Sequence, residues 1–168
     1  MPFDPTLTTL FIQLGLASVL GLFIGAERTI SGKVAGMRTF ALVALGSCLF
    51  MVTSVLVNES YVGRVSFDPM RTAAGIISGI GFIGAGLIIM REKHYVQGLT
   101  TAAGMWVAAG VGIAVGVQLY AVAVFATILT LFIFTAVWFM EEYVRTHYKR
   151  EQPAELESLL TKDAEIDE

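Results

Sequence analysis

Gly79-Ile-Gly-Phe-Ile-Gly-Ala-Gly-Leu-Ile-Ile89, answered after a short charged loop by Gly98-Leu-Thr-Thr-Ala-Ala-Gly-Met-Trp106, decides the fold of this chain. Both runs are apolar and rich in glycine. In water such helices would be weak, because each glycine gives up about 1 kcal/mol of helix propensity relative to alanine. In a bilayer they persist, since lipid offers the backbone amides no other partner, and small residues there let neighbouring helices approach closely. Ten of the 17 glycines fall between Thr72 and Gly116. The expected fold is therefore an all-α membrane protein, a bundle of five transmembrane helices with the glycine-rich third and fourth helices at its centre.

Composition agrees with that reading. Of 168 residues, 55% are hydrophobic and only 15% charged, and the mean hydropathy is +0.72, far from the balance of a soluble domain. A span takes about 20 mostly apolar residues. Five stretches qualify: Leu7 to Ala26, Thr39 to Val57, Thr72 to Met90, Gly98 to Gly116 and Leu119 to Met140. The last two are nearly continuous, but one helix over both would be roughly 65 Å long at 1.5 Å per residue, so a tight hairpin is required near Gly116-Val-Gln-Leu119. Residues 1–140 then form the transmembrane domain and 141–168 a charged cytoplasmic tail with no folded domain. The opening Met-Pro-Phe-Asp-Pro has no basic residue, unlike a secretory signal peptide, and the first span is expected to stay as an anchor. Cys48, the single cysteine, excludes an internal disulfide and is expected to be a small packing residue.

Lysine and arginine in short loops favour the cytoplasm. Arg28, Lys33 and Arg38 flank the first loop, Arg91 and Lys93 the third, and Arg145, Lys149 and Arg150 follow the last span, whereas the second loop has only Arg64 beside Arg71. The N-terminus is expected outside and the C-terminus in the cytoplasm. The net charge of −3 resolves into −5 for the tail from Glu141 onward and +2 for the membrane portion.

In the fourth span Thr100, Gly104, Ala108, Gly112 and Gly116 recur every four residues and line one narrow stripe, so another helix can lie against it. The third span offers Gly75 and Gly79 at the same spacing, with Gly81, Gly84 and Gly86 beyond, and the first offers Gly21 and Gly25. Two short echoes, Met37-Arg-Thr with Met70-Arg-Thr and Thr72-Ala-Ala-Gly with Thr101-Ala-Ala-Gly, enter the expected membrane from opposite sides, the pattern of inverted repeats.

Gly79, Gly81 and Gly84 also spell the dinucleotide-binding pattern. That pattern needs a preceding strand and an acidic residue about 20 positions on, and these glycines lie inside an apolar run. Two histidines, His94 and His147, assemble no catalytic set and no metal spacing, so an enzyme is not expected. Deep carboxylates, the usual mark of a proton-coupled pump, do not occur mid-span. Charges gather instead at span ends. Arg28 alone reads as an interfacial anchor whose stem snorkels to the headgroups. Glu27 with Arg38, and Asp68 with Arg71, pair opposite signs beside glycine-rich ends and are candidates for an ion-pair network or polar site, with Thr39 next to them. Trp106 is expected in the core, and Trp106 and Thr101 are the residues to face a ligand if one enters.

At these residues the chain resembles the MgtC/SapB family of bacterial inner-membrane proteins. The pieces that carry the resemblance are Gly25-Ala-Glu-Arg28, Gly36-Met-Arg-Thr39, Asp68-Pro-Met-Arg71, the Gly79 to Gly86 run, and Gly98-Leu-Thr-Thr-Ala-Ala103 with Trp106 and Gly112. They appear in the family's order, with Met37 and Ile83 where the family tends to have leucine. Many members carry a folded cytoplasmic C-terminal domain, whereas here a short acidic tail is expected. The resemblance implies a place in the bacterial inner membrane, growth under magnesium limitation and, in pathogens, survival inside host cells. It implies a small polytopic protein that modulates a membrane-protein partner under ionic stress. The alternative is a magnesium or other cation transporter or channel. No cofactor is expected beyond a magnesium ion, for which Asp68 and Glu27 would be the weak candidate ligands. Expected partners are the lipid bilayer, a membrane protein and a homo-oligomer, with no nucleic acid.

Overall fold

The computed structural model describes residues 7–60, 68–91, 95–137, 139–140 and 143. Its helices are α1 (Leu7–Ile30), α2 (Met37–Ser60), α3 (Pro69–Leu87), α4 (Leu99–Gly116) and α5 (Tyr120–Phe132). All five, the last taken with the residues that continue it to Val137, are long and apolar enough to cross a membrane. The expected spans thus recur with shifted ends: α1 runs on past Ala26 through Glu27 and Arg28, and α2 starts at Met37. The loop after α3 is not irregular throughout. Strand β1 (Ile89–Arg91) pairs antiparallel with β2 (Tyr95–Gln97), Met90 standing opposite Val96.

Helix ends follow from local chemistry. Asp68 caps α3, its carboxylate accepting from the Met70 amide at 2.9 Å, with Pro69 at the first helical position, where a missing N–H costs nothing. The required hairpin after α4 is built as a left-handed cap on Gln118 (φ 64°), where the Leu119 amide donates to the Ala114 carbonyl at 2.8 Å and the Gln118 amide to that of Val115 at 3.0 Å. Gly32 (φ 66°) ends α1 the same way, through Lys33 to Arg28 and Gly32 to Thr29.

Packing places α2 and α4 at the middle, with α1 against both and α3 leaning mainly on α4. Small residues set the distances. A Cβ on Gly112 would strike the Ala44 carbonyl oxygen and come within 2.8 Å of the Ser47 Cβ. One on Gly116 would sit 2.8 Å from the Met51 Cβ, and one on Gly21 2.6 Å from the Phe40 carbonyl oxygen. The backbones of α1 and α4 therefore press directly on α2, whose Phe40, Ala44, Cys48 and Met51 are buried. Gly104, Ala108, Gly112 and Gly116 of the four-residue stripe are buried as well, while Thr100 is exposed.

The third helix does not share that centre. Its glycines are mostly open: a Cβ on Gly75, Gly79, Gly81 or Gly86 would meet nothing within 4 Å, and of this group Gly84 alone touches α4, at Ala102. The physical reason is that glycine permits close approach without compelling it, and α4 spends its closest contacts on α2. Beyond Leu131 the chain forms a second unit, in which Ile133–Val137 widen into a π-helical turn and the Thr135 hydroxyl donates to the Phe132 carbonyl at 3.3 Å. The expected tail lies outside the described residues except at Tyr143.

Candidate functional site

At the end of the bundle where α1 meets α2, the motif residues form a clasp. Glu27 accepts from both sides, from the Arg28 Nε through one carboxylate oxygen and from the Ser31 hydroxyl at 2.7 Å through the other. Arg28 is not a snorkelling anchor: its side chain is only 4% exposed, and that of Glu27 12%. A guanidinium buried this far must keep its charge partner, because one left without it carries a large desolvation penalty. Thr29 completes the clasp, donating to the Gly25 carbonyl at 3.0 Å and accepting from the Met37 amide at 3.1 Å. A Cβ on Gly25 would fall 2.7 Å from the Met37 Cα, and one on Gly36 would strike the Thr29 hydroxyl oxygen. Gly25-Ala-Glu-Arg28 and Gly36-Met-Arg-Thr39 are thus two halves of one tight turn.

This arrangement changes the expected pairings. Among the described residues no ion pair joins Glu27 to Arg38 or Asp68 to Arg71: Glu27 is held by its neighbour Arg28, and Asp68 is used as a helix cap. Arg38, Asp68 and Arg71 are exposed and Thr39 is partly buried. The clasp and the Asp68 cap lie at different helix ends, so the four charges do not form one network. Each Glu27 oxygen accepts one hydrogen bond and one Asp68 oxygen accepts from the Met70 amide, and among the described residues no three His, Cys, Asp or Glu side chains converge.

A cavity of about 770 Å³ opens between α2 and α3. Its walls are apolar, with Leu42, Val43 and Phe50 from α2 facing Ile76, Ile80 and Ile83 from α3, and its floor reaches Met105 of α4. It is roomy because Gly46, Gly75 and Gly79 line it without side chains. Arg38 and Thr39 stand at one end. At the other the Ser54 and Thr72 hydroxyls are 2.9 Å apart in a hydrogen bond that ties α2 to α3. Two of the expected polar residues are thus brought to a cavity, and the open glycines of α3 acquire a role as its lining.

Trp106 is not in the core. It is 55% exposed and stands over a second depression of about 590 Å³, between α3 and α4, with Gly81, Gly84 and Ala102. The buried line of α4 runs through Thr101, Gly104, Met105, Ala108 and Ala109, and Trp106 falls on the opposite side. Thr101, expected with Trp106 as ligand-facing, is therefore buried in the bundle.

One polar residue of the core carries no sequence signal. Gln13, fully buried in α1, donates its amide to the Val115 and Gly116 carbonyls at 3.0 and 3.2 Å. Those carbonyls belong to the last turn of α4, where acceptors lack the amide four residues on; Val115 also accepts from the Gln118 amide, so Gln13 is a second donor there and supplies one to Gly116. The Gln13 side chain thus caps a neighbouring helix from within the bundle.

Comparison with known proteins adds to this geometry. A family model described as "MgtC family" matches residues 14–143. An uncharacterized protein of Haemophilus influenzae is 37% identical over 97% of this chain and 69% of its own length. The Escherichia coli K12 protein named "Putative magnesium transporter YhiD" is 41% identical over 73% of this chain, and protein MgtC of Salmonella typhimurium 46% identical over 56%. Those matches span 57% and 38% of the two relatives, which extend well beyond the shared part. No solved structure matches the chain.

Proposed function

The chain belongs to the MgtC family, and from that premise we propose that it is an inner-membrane protein that modulates a membrane partner when magnesium is limiting. The observation that carries the reading is where the molecule is closed and where it is open. Its middle is sealed by backbone contact, Gly112 and Gly116 of α4 lying on Ala44, Ser47 and Met51 of α2, which leaves no path for a hydrated ion between these helices. Cavities open between α2 and α3 and between α3 and α4, on sides that this reading assigns to lipid and a membrane partner.

The name of the Escherichia coli relative favours transport of magnesium as the second reading. Magnesium gives up its water reluctantly, so a carrier needs a wide polar route or a dense set of oxygen ligands. Flux into liposomes holding the purified protein decides: the modulator reading expects no magnesium movement above that of empty vesicles, and saturable uptake would overturn it. Beside it, Arg38→Gln is expected to reach normal membrane abundance yet fail to support growth at low magnesium. Wild-type growth of that variant would remove Arg38 from the functional surface.

The orientation proposed with this function puts the N-terminus outside and the Arg38 end of the bundle at the cytoplasmic face, on the distribution of lysine and arginine. Single cysteines at Ser60 and Ser158, introduced with Cys48 replaced by alanine, test it with an impermeant reagent. Labelling of both from one side would contradict the orientation.

A further inference from the structure

We propose that the cavity between α2 and α3 is a binding site for an anionic phospholipid, one acyl chain lying in the groove and the phosphate against Arg38. Three observations converge on this occupant. First, the groove is apolar along its length and has a cation at one mouth: Leu42, Val43, Ile76, Ile80 and Ile83 form walls that end at exposed Arg38, which no carboxylate among the described residues neutralises. Apolar tail and anionic head are the two chemistries that such a pair of surfaces selects.

Second, the length fits one leaflet. From Arg38 to Phe50 the α2 wall runs about 18 Å at 1.5 Å per residue, close to half of the roughly 30 Å hydrocarbon core. Third, the far end is shut by the hydrogen bond between Ser54 and Thr72. A partner helix crossing the whole bilayer would have to break that tie to enter between α2 and α3. A lipid tail entering from the Arg38 side stops short of it. The absent side chains of Gly46, Gly75 and Gly79 then have a purpose, since a Cβ at any of the three would meet open space and longer side chains would fill the channel that the tail occupies.

The site stands on this geometry alone; the leaflet it draws from, the cytoplasmic one, rests on the orientation proposed above. The test uses tryptophan at Phe50 as reporter, with Trp106 and Trp138 replaced by phenylalanine, in vesicles of fixed phosphatidylglycerol and phosphatidylcholine content. Only the brominated species changes, so surface charge is constant. Brominated phosphatidylglycerol is expected to quench Phe50→Trp with about fivefold preference over brominated phosphatidylcholine, the ratio that about 1 kcal/mol of attraction between one basic side chain and anionic lipid produces. Adding Arg38→Gln is expected to abolish the preference but keep quenching by both lipids, and Arg38→Lys to restore most of it. Gly79→Leu is expected to reduce quenching by either lipid.

Equal quenching by the two lipids in the reporter protein would overturn the proposal. Quenching by neither, the signature of a protein segment seated in the groove, would overturn it too. If cysteine labelling instead places the Arg38 end outside while the preference remains, the site survives and only its leaflet changes. If the preference is missing while labelling gives the proposed orientation, the site falls and the orientation stands.

Discussion

Replacing Gly112 by alanine probes the centre of the bundle with the smallest available change. The added Cβ would run into the Ala44 carbonyl oxygen, lie 2.8 Å from the Ser47 Cβ and 3.0 Å from the Ala44 carbonyl carbon. Two of these three neighbours are backbone atoms, which cannot rotate away, so α4 and α2 must separate along their contact. Overpacking typically costs about 1 to 3 kcal/mol, and a collision with backbone puts this site in the upper half, about 2 to 3 kcal/mol. Alanine recovers about 1 kcal/mol of helix propensity, which leaves a net loss of about 1 to 2 kcal/mol. Gly110→Ala is the matched control on the same helix, because its Cβ would meet nothing within 4 Å. Thermal unfolding in detergent, followed by tryptophan fluorescence, is expected to put Gly112→Ala about 2 to 8 °C below wild type on the scale of chains of this size. Gly110→Ala should be unchanged or slightly more stable. Equal melting temperatures for the two variants would refute both the glycine-mediated contact and the argument that the middle is closed to ions.

Gln13→Leu should lower stability by about 1 kcal/mol, because the Val115 and Gly116 carbonyls lose their side-chain donor; Gln13→Glu should lower it further, since a carboxylate offers only acceptors to those carbonyls, and the same unfolding measurement checks both. Glu27→Gln removes the carboxylate from buried Arg28 and is expected to cost on the order of 3 kcal/mol, seen as reduced membrane abundance, so an abundant and stable Glu27→Gln protein would contradict the clasp. Asp68→Ala should lose about 1 kcal/mol while Asp68→Asn stays near wild type, as asparagine caps a helix as well as aspartate does. Growth at low magnesium with Asp68→Asn at matched abundance then asks whether the charge itself is needed, and unchanged growth is expected.

Five spans were legible in the sequence because hydropathy over 20 residues is a summed property that no single contact can overturn. The hairpin at Gly116 to Leu119 followed from length alone, and the stripe on α4 from its spacing. What spacing could not supply was the partner. Gly75 and Gly79 have the same four-residue repeat as Gly112 and Gly116, yet the former line a groove and the latter touch a backbone. The wall that receives α4 is made of Ala44, Ser47, Cys48 and Met51, which read as ordinary apolar helix, while Gly46 of the same helix faces the groove. The polar candidates were placed at the right helix ends, but their pairing turned on whether Arg28 was buried, and a sequence does not record depth. Gln13 carries no sequence signal for a related reason: one amide in an apolar run has no pattern to belong to until a neighbouring helix ends beside it.

These contacts also divide the molecule into a tightly packed part and an open one. α2 is approached twice through glycine, by Gly21 and Gly25 of α1 and by Gly112 and Gly116 of α4, each so close that an added Cβ would collide. α3 touches α4 where Gly84 approaches Ala102, and among the described hydrogen bonds it is tied to α2 by Ser54 and Thr72 at one end. The glycine in α3 therefore has the opposite effect to the glycine in α4. It leaves the α2–α3 face open, where α3 has its lighter contact, whereas α2 meets α1 and α4 backbone to backbone. An occupant of the groove would lie against the Gly75 and Gly79 face of α3, between the Ser54–Thr72 tie and Arg38. The proposed function draws on this division, since a lateral surface open between α2 and α3 is what a lipid or a membrane partner would meet, and it is carried on helices packed backbone to backbone.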